Sequence, residues 1–201
     1  AWSMWDPQVG LGTVTHQSIG YLWPMGPWYW LAEQLGLPDW LAQRLWWGTL
    51  LTAAGAGVAY LLRRFSWPPP AVWAAAFAYA LSPYVLTHIG RLSAILLPFV
   101  GLPWLLGLTV QALRHRGWRH PALFALVVAT VGSTNLTALV LVGLGPLAWV
   151  VAAVVTGTVA PGVAARTVAK LAALTVPLSA WWLAGLSVQA SHGIDIVRYT
   201  E

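Results

Sequence analysis

The chain has no cysteine. Disulfides, thiolate metal sites and thiol nucleophiles are thereby excluded. Charge is nearly as scarce. Charged residues make up 7% of the 201 positions, where a soluble domain carries about 25%. Hydrophobic residues make up 59% and the mean hydropathy is +0.70. Such a chain cannot clothe a water-facing surface, and the bilayer is its solvent. Neither GxxxxGK[ST] nor GxGxxG occurs, which disfavours an ATP-driven pump and a Rossmann-type nucleotide-sugar enzyme. The five histidines show no metal-ligand spacing. A divalent metal is compatible with this composition, but these residues do not call for one.

Acids are absent from the whole stretch between Asp39 and Asp195. Asp6, Glu33, Asp39, Asp195 and Glu201 lie only in the first forty residues and at the end. Basic residues punctuate the interior as Arg63-Arg64, then Arg114, Arg116 and Arg119, then Arg166 and Lys170. Lys and Arg are retained in cytoplasmic loops, so this segregation orients a polytopic membrane protein. The net charge of +5 is read as positive-inside anchoring rather than as a nucleic-acid surface.

Residues 1–40 hold Trp2, Trp5, Trp23, Trp28, Trp30 and Trp40, six of the fifteen tryptophans. Trp favours the membrane–water interface. The stretch is expected to be an extracytoplasmic loop with short helices on the outer surface. Pro27 to Leu35 is one such helix, with Gly36 as its stop. Asp39 is expected to N-cap the first membrane helix. The remainder is expected to form an all-α transmembrane bundle over 41–190. About six spans fit the hydropathy, near 41–62, 70–88, 93–112, 120–134, 137–158 and 165–187, with 120–134 short for a crossing. Residues 191–201 begin a second extracytoplasmic segment. Seven of the ten basic residues then lie inside. Arg44, Arg91 and Arg198 stand outside against the charge rule, which marks them as candidates for function.

Asp6 is a candidate base or hydrogen-bond acceptor, or a turn residue before Pro7. His16 and Gln17 precede the run Gly20-Tyr21-Leu22-Trp23-Pro24 and are candidate substrate contacts. His88 and Arg91 bracket Ile89-Gly90. Arg binds phosphate as a fork, so Arg91 suits a lipid phosphate, unless it merely snorkels to a headgroup. Asn135 reads as a turn residue. Prolines and glycines inside the spans read as tolerated kinks and as close-packing positions. A transporter or flippase is the first alternative, but it needs ionisable groups at mid-membrane, and the spans carry almost none. A non-catalytic membrane scaffold is the second.

Several motifs occur in order: Gly20-Tyr21-Leu22-Trp23-Pro24-Met25-Gly26-Pro27, Leu37-Pro38-Asp39-Trp40, Gln43-Arg44-Leu45-Trp46-Trp47, Ala76 to Pro83, Leu86-Thr87 with Gly90 and Ser93, Gly132 to Asn135, and Trp181-Trp182. Together they resemble the early region of the actinobacterial membrane α-(1→3)-arabinofuranosyltransferases that finish cell-wall arabinan. The resemblance implies a GT-C fold in the plasma membrane with an extracytoplasmic site. It implies a decaprenyl-phosphate arabinose donor and an arabinan acceptor on arabinogalactan or lipoarabinomannan. It also implies a longer polypeptide, with the main catalytic Asp upstream of the Trp5 region and before Ala1. Asp6 is then the candidate catalytic residue of this stretch. Arg91, His88, His16, Gln17, Arg44 and Tyr21 are candidate donor-phosphate or substrate contacts. One departure is Ile95, where the family carries a Glu shortly after its Gly-x-x-Ser.

The charge segregation has a direct test. Single cysteines at positions 39 and 115 should label from opposite sides of the membrane, and labelling of both from one side would refute this topology.

Overall fold

The computed structural model describes residues 5–6, 13–14, 22–134 and 136–192. Among these the protein is helical, apart from a two-residue antiparallel pairing of Trp5–Asp6 with Thr13–Val14. The helices are α1 (Met25–Gln34), α2 (Asp39–Arg63), α3 (Pro69–Ala80), α4 (Pro83–His88), a 3-10 turn at Ser93–Ile95, α5 (Leu96–Arg114), α6 (Arg119–Val131), α7 (Leu136–Val155) and α8 (Pro161–His192).

Local sequence sets the ends. Helix α1 starts two residues before the predicted Pro27. It closes in a Schellman motif: Leu37 N–H donates to the Ala32 carbonyl and Gly36 N–H to that of Glu33. Gly36 has a φ of +68°, a conformation that costs a glycine little. Asp39 is not the N-cap of α2. Pro38 occupies that place, and Asp39 is the first helical residue, with no capping hydrogen bond from a side chain. Its charge still favours the positive end of the helix dipole.

The expected span 70–88 is interrupted. Pro83 forces Ser82 into an extended conformation, so the pass breaks into α3 and α4. The two pieces together climb the length of α2: Arg63 sits over the Trp73 ring, Gly55 abuts Ala76 and Ala80, and Gly90 lies beside Trp47. Among the described residues four stretches are long and apolar enough to cross a membrane: Asp39–Arg63, Ser93–Arg114, Leu136–Val155 and Pro161–Val188. The 120–134 run is a helix of 13 residues.

Pair contacts fix the direction of every helix. Trp46 meets Ser93, Trp104 meets Ala53, and Arg114 meets Arg64, so α2 and α5 run parallel. Helix α6 returns beside α5, with the His115 and His120 rings at one end and Val131 against Gly101 at the other. Helix α7 descends with Gly145 against Leu102 and Leu106, and α8 ascends from the Lys170–Arg116 contact. The helices therefore alternate in direction. The three basic clusters gather at one end, the basic end. Glu33 and Asp39 stand at the other, the acidic end. Exposed Trp23, Trp30 and Trp40 ring the acidic end, and exposed Trp67, Trp73 and Trp118 ring the basic end. These are two aromatic belts, one at each interface.

Helix α5 is the axis. In its most apolar stretch 67% of residues are buried, against 11% for α7. Its polar side chains are satisfied: Thr109 Oγ1 donates to the Leu105 carbonyl at 2.7 Å. With its oxygen turned toward Arg64, the Gln111 amide accepts from Arg64 Nε at 2.9 Å and donates to His115 Nε2 at 3.1 Å. Its interior proline is compensated too. Pro103 cannot donate to the Phe99 carbonyl, and Tyr79 Oη donates to that oxygen instead, at 2.7 Å. Pro98 sits in the first turn of α5, where a missing N–H breaks no helical bond, and Thr134 Oγ1 reaches the Ala94 carbonyl in the preceding turn at 3.4 Å.

The Tyr79 bond yields a stability prediction. Tyr79→Phe keeps the stacking on Phe99, whose centroid lies 4.2 Å away, but leaves a buried carbonyl unpaired. It should destabilise the bundle by about 1–3 kcal/mol, read as a lowered melting temperature in detergent. Thr134→Val, at the longer bond, should cost less.

Candidate functional site

The acidic end carries a groove of about 1140 Å³. Helix α1 and the start of α2 form one wall through Trp23, Tyr29, Trp30, Glu33 and Asp39, and α6 and α8 form the other through Leu126, Thr130 and Trp181. The groove exists because α1 is held off the bundle at two points. Trp28 Nε1 donates to the Ala42 carbonyl at 3.1 Å, which ties α1 to α2. The turn before α1 is tied to α6 by Trp23 Nε1 on Thr130 Oγ1 at 3.2 Å and by Ser133 Oγ on the Trp23 carbonyl at 3.0 Å. Most of the lining is apolar. Among the described residues Glu33 and Asp39 supply its carboxylates, and burial pushes the Tyr29 phenol up, so it stays a neutral hydroxyl. The site is an apolar trough at interfacial depth with acidic groups along one rim. It can hold a long hydrocarbon chain while a polar head faces water.

Of the predicted site residues whose side chains are described, Arg44, His88 and Arg91 do not line this groove. Arg44 lies exposed on the first turns of α2, 5.2 Å over the Trp40 ring. His88 ends α4, half-buried, with Nδ1 2.8 Å from the Tyr84 carbonyl. Arg91 is exposed in the following loop, and its backbone N–H donates to the His88 carbonyl at 3.1 Å. His88 and Arg91 are thus neighbours at the acidic end, while Arg44 is engaged elsewhere. Asp6 is described only through its backbone pairing with Thr13. His16, Gln17, Tyr21, Asn135, Asp195, Arg198 and Glu201 lie outside the described residues. Among the described residues no three His, Asp or Glu side chains come together as metal ligands.

Sequence reasoning missed Glu33 and Asp39 as groove residues. The available signal was that acids are so rare here and that both fall in the Trp-rich stretch. The motifs prove to be fasteners. Trp46 Nε1 donates to Ser93 Oγ at 3.2 Å, and Trp47 lies against Gly90, so the Arg44 to Trp47 segment clamps the loop that displays Arg91. Tyr79, Ser133 and Thr134 each donate to a backbone carbonyl of another segment.

The sequence model described as "Alpha-(1->3)-arabinofuranosyltransferase, N-terminal GT-C domain" matches residues 1–201. The chain belongs to this family. It is 38% identical over 154 residues to an alpha-(1->3)-arabinofuranosyltransferase of Mycolicibacterium smegmatis, covering 74% of this chain and 11% of that protein. It is 36% identical over 140 residues to the protein of the same description from Mycobacterium tuberculosis, covering 67% of this chain and 10% of the relative. Two cryo-EM classes of a mutant arabinofuranosyltransferase AftD from mycobacteria superpose on it. Their TM-scores are 0.81 and 0.79, with 28% and 31% identity, and they cover 93% and 94% of this chain. The chain spans 15% of the length of each of those structures. The GT-C fold and the all-α bundle inferred from sequence are therefore those of the family.

The groove assignment carries a depth prediction. Spin labels at positions 30 and 35, exposed on α1 and at its C-cap, should report the membrane interface, and a label at position 126 should lie deeper. Labels at 30 and 35 as water-exposed as a free peptide would remove α1 from the membrane surface.

Proposed function

We propose that this chain is the early membrane part of a glycosyltransferase that transfers arabinofuranose from decaprenyl-phosphate arabinose to cell-wall arabinan, on arabinogalactan or lipoarabinomannan. The setting is the plasma membrane, with the basic end cytoplasmic and the acidic end extracytoplasmic. The observation that carries the reading is the groove of about 1140 Å³ at the acidic end, apolar along its floor and bordered by Glu33 and Asp39. Family membership supports the reaction class.

The chemistry is displacement at the anomeric carbon. An acceptor hydroxyl attacks, a carboxylate takes its proton, and the polyprenyl phosphate departs with the electron pair of the broken C–O bond. The prenyl chain lies in the apolar groove. Glu33 and Asp39 accept hydrogen bonds from sugar hydroxyls along its rim, and Asp6 is this chain's candidate for the base. Arg91, held out by its clamped loop beside His88, takes the leaving phosphate. Arg44, His16, Gln17 and Tyr21 are second contacts on the same side.

The test uses full-length protein reconstituted with polyprenyl-phosphate arabinose and an arabinan acceptor. Charge-assisted hydrogen bonds to phosphate contribute about 1.5–3 kcal/mol, so Arg91→Ala should slow transfer about 10- to 100-fold. Arg91→Lys should recover part of the rate, as a point charge without the fork. Ala129→Trp, which narrows the groove, should raise KM for a long-chain donor more than for a short-chain one. Folded Arg91→Ala protein with full activity would make Arg91 a headgroup anchor only. An Ala129→Trp protein indifferent to donor chain length would take the lipid out of this groove.

A further inference from the structure

The opposite end of the bundle holds a second groove, of about 690 Å³, between α2 and α3. Its floor is made of small residues, Gly55, Ala56 and Ala59 of α2 with Ala76 and Ala80 of α3. Phe77 and Trp73, one turn apart on α3 and 64% and 50% exposed, form an outer wall. The groove ends at Arg63 and Arg64. Arg64 is fastened by the Gln111 amide and stacks 4.6 Å from the Tyr60 ring. Arg63 lies 5.5 Å over the Trp73 ring. The acids with described side chains, Glu33 and Asp39, are both at the far end of the bundle, so among the described residues no carboxylate lies near either guanidinium.

We propose that this groove is a binding site for an anionic phospholipid of the leaflet that bathes the basic end. The headgroup phosphate lies on Arg63 and Arg64, and one acyl chain lies in the trough toward Leu51. Three features converge on that occupant. Leu51 to Arg63 spans about 18 Å of helix at 1.5 Å per residue, close to one leaflet's half of a hydrocarbon core about 30 Å thick. Apart from the Thr52 and Tyr60 hydroxyls and the Trp ring N–H groups the lining is apolar until it ends in two cations, which matches an amphiphile with an anionic head. Trp67, Trp73 and Trp118 mark the headgroup level at the same height as the arginines. Arginine suits this place because its fork engages phosphate oxygens while Tyr60 and Trp73 hold its plane. The site is separate from the acidic-end groove and does not depend on the transfer reaction.

Native mass spectrometry of the full-length protein, titrated with phosphatidylglycerol and with phosphatidylcholine, reads the occupant directly. The wild type should retain phosphatidylglycerol preferentially. Losing two basic side chains beside an anionic lipid should weaken that retention about thirtyfold in R63Q/R64Q. Ala56→Trp, which leaves both charges and fills the trough, should weaken it as well. R166Q/K170Q removes the same charge elsewhere at the basic end and should change it little. Equal retention of the two lipids by the wild type would overturn the site whatever the variants do. So would an equal loss in R63Q/R64Q and R166Q/K170Q, which would signify diffuse attraction. A third overturning result is a cysteine at position 56 that a lipid-soluble maleimide cannot reach in the full-length protein, because another segment would then cover the groove.

Discussion

Pro103 removes a backbone donor from the interior of α5, and the freed Phe99 carbonyl is met by the Tyr79 hydroxyl of α3, while Thr134 Oγ1 reaches the Ala94 carbonyl just before α5. In hydrocarbon no water can serve that oxygen, so the missing bond must be made within the chain. This requirement fixes more than α5. Tyr79 sets the height and rotation of α3, and Thr134 sets where α6 turns into α7. Gly57 against Pro103 and Trp104, and Gly107 against Tyr60, then let α2 lie along α5 at backbone distance. With α2 so placed, Trp46 reaches Ser93 and Trp28 reaches Ala42. The acidic-end groove is what remains between α1 and the bundle.

The passes were legible in sequence where hydropathy runs unbroken, as in α2, α5, α7 and α8. The break at Ser82-Pro83 was not, because a proline preceded by an apolar run reads equally as a kink and as an end, and only packing along α2 separates the two. The glycine reading was right at Gly55, Gly57, Gly101, Gly107 and Gly145, where a Cβ would touch a neighbour, and empty at Gly143, which meets nothing within 4 Å. No periodicity distinguishes those cases, since the neighbour belongs to another helix. The site was less legible still. Arg44 was singled out for standing against the charge rule, and that rule carries no sign of the Trp40 ring over which it lies. Glu33 and Asp39 were passed over because a surface helix and a helix start account for acids on their own. Their common groove appears only when α6 and α8 are brought up to α1.

The family motifs carry a related lesson. Trp46, Tyr79, Ser93, Ser133 and Thr134 are among the most recognisable residues of the chain, and each is spent on holding one helix against another. Their role in chemistry is indirect. They fix the loop bearing His88 and Arg91 and the rim bearing Glu33 and Asp39 relative to one depth in the bilayer. The two aromatic belts then hold that depth against the interface.

The alternation of helix direction bears on how the chain enters the membrane during synthesis. Helix α6, at about 20 Å for its 13 residues, is too short to leave an aqueous insertion channel for lipid on its own. Helix α7, the most apolar of the long stretches at a mean hydropathy of 2.5, comes after a turn of a few residues. In the folded bundle α6 packs chiefly on α5 and α8 rather than on α7, so the surplus hydrophobicity of α7 does not cover it. In the order of synthesis α6 meets α5 at once, and its second partner, α8, is the last of the described helices to emerge.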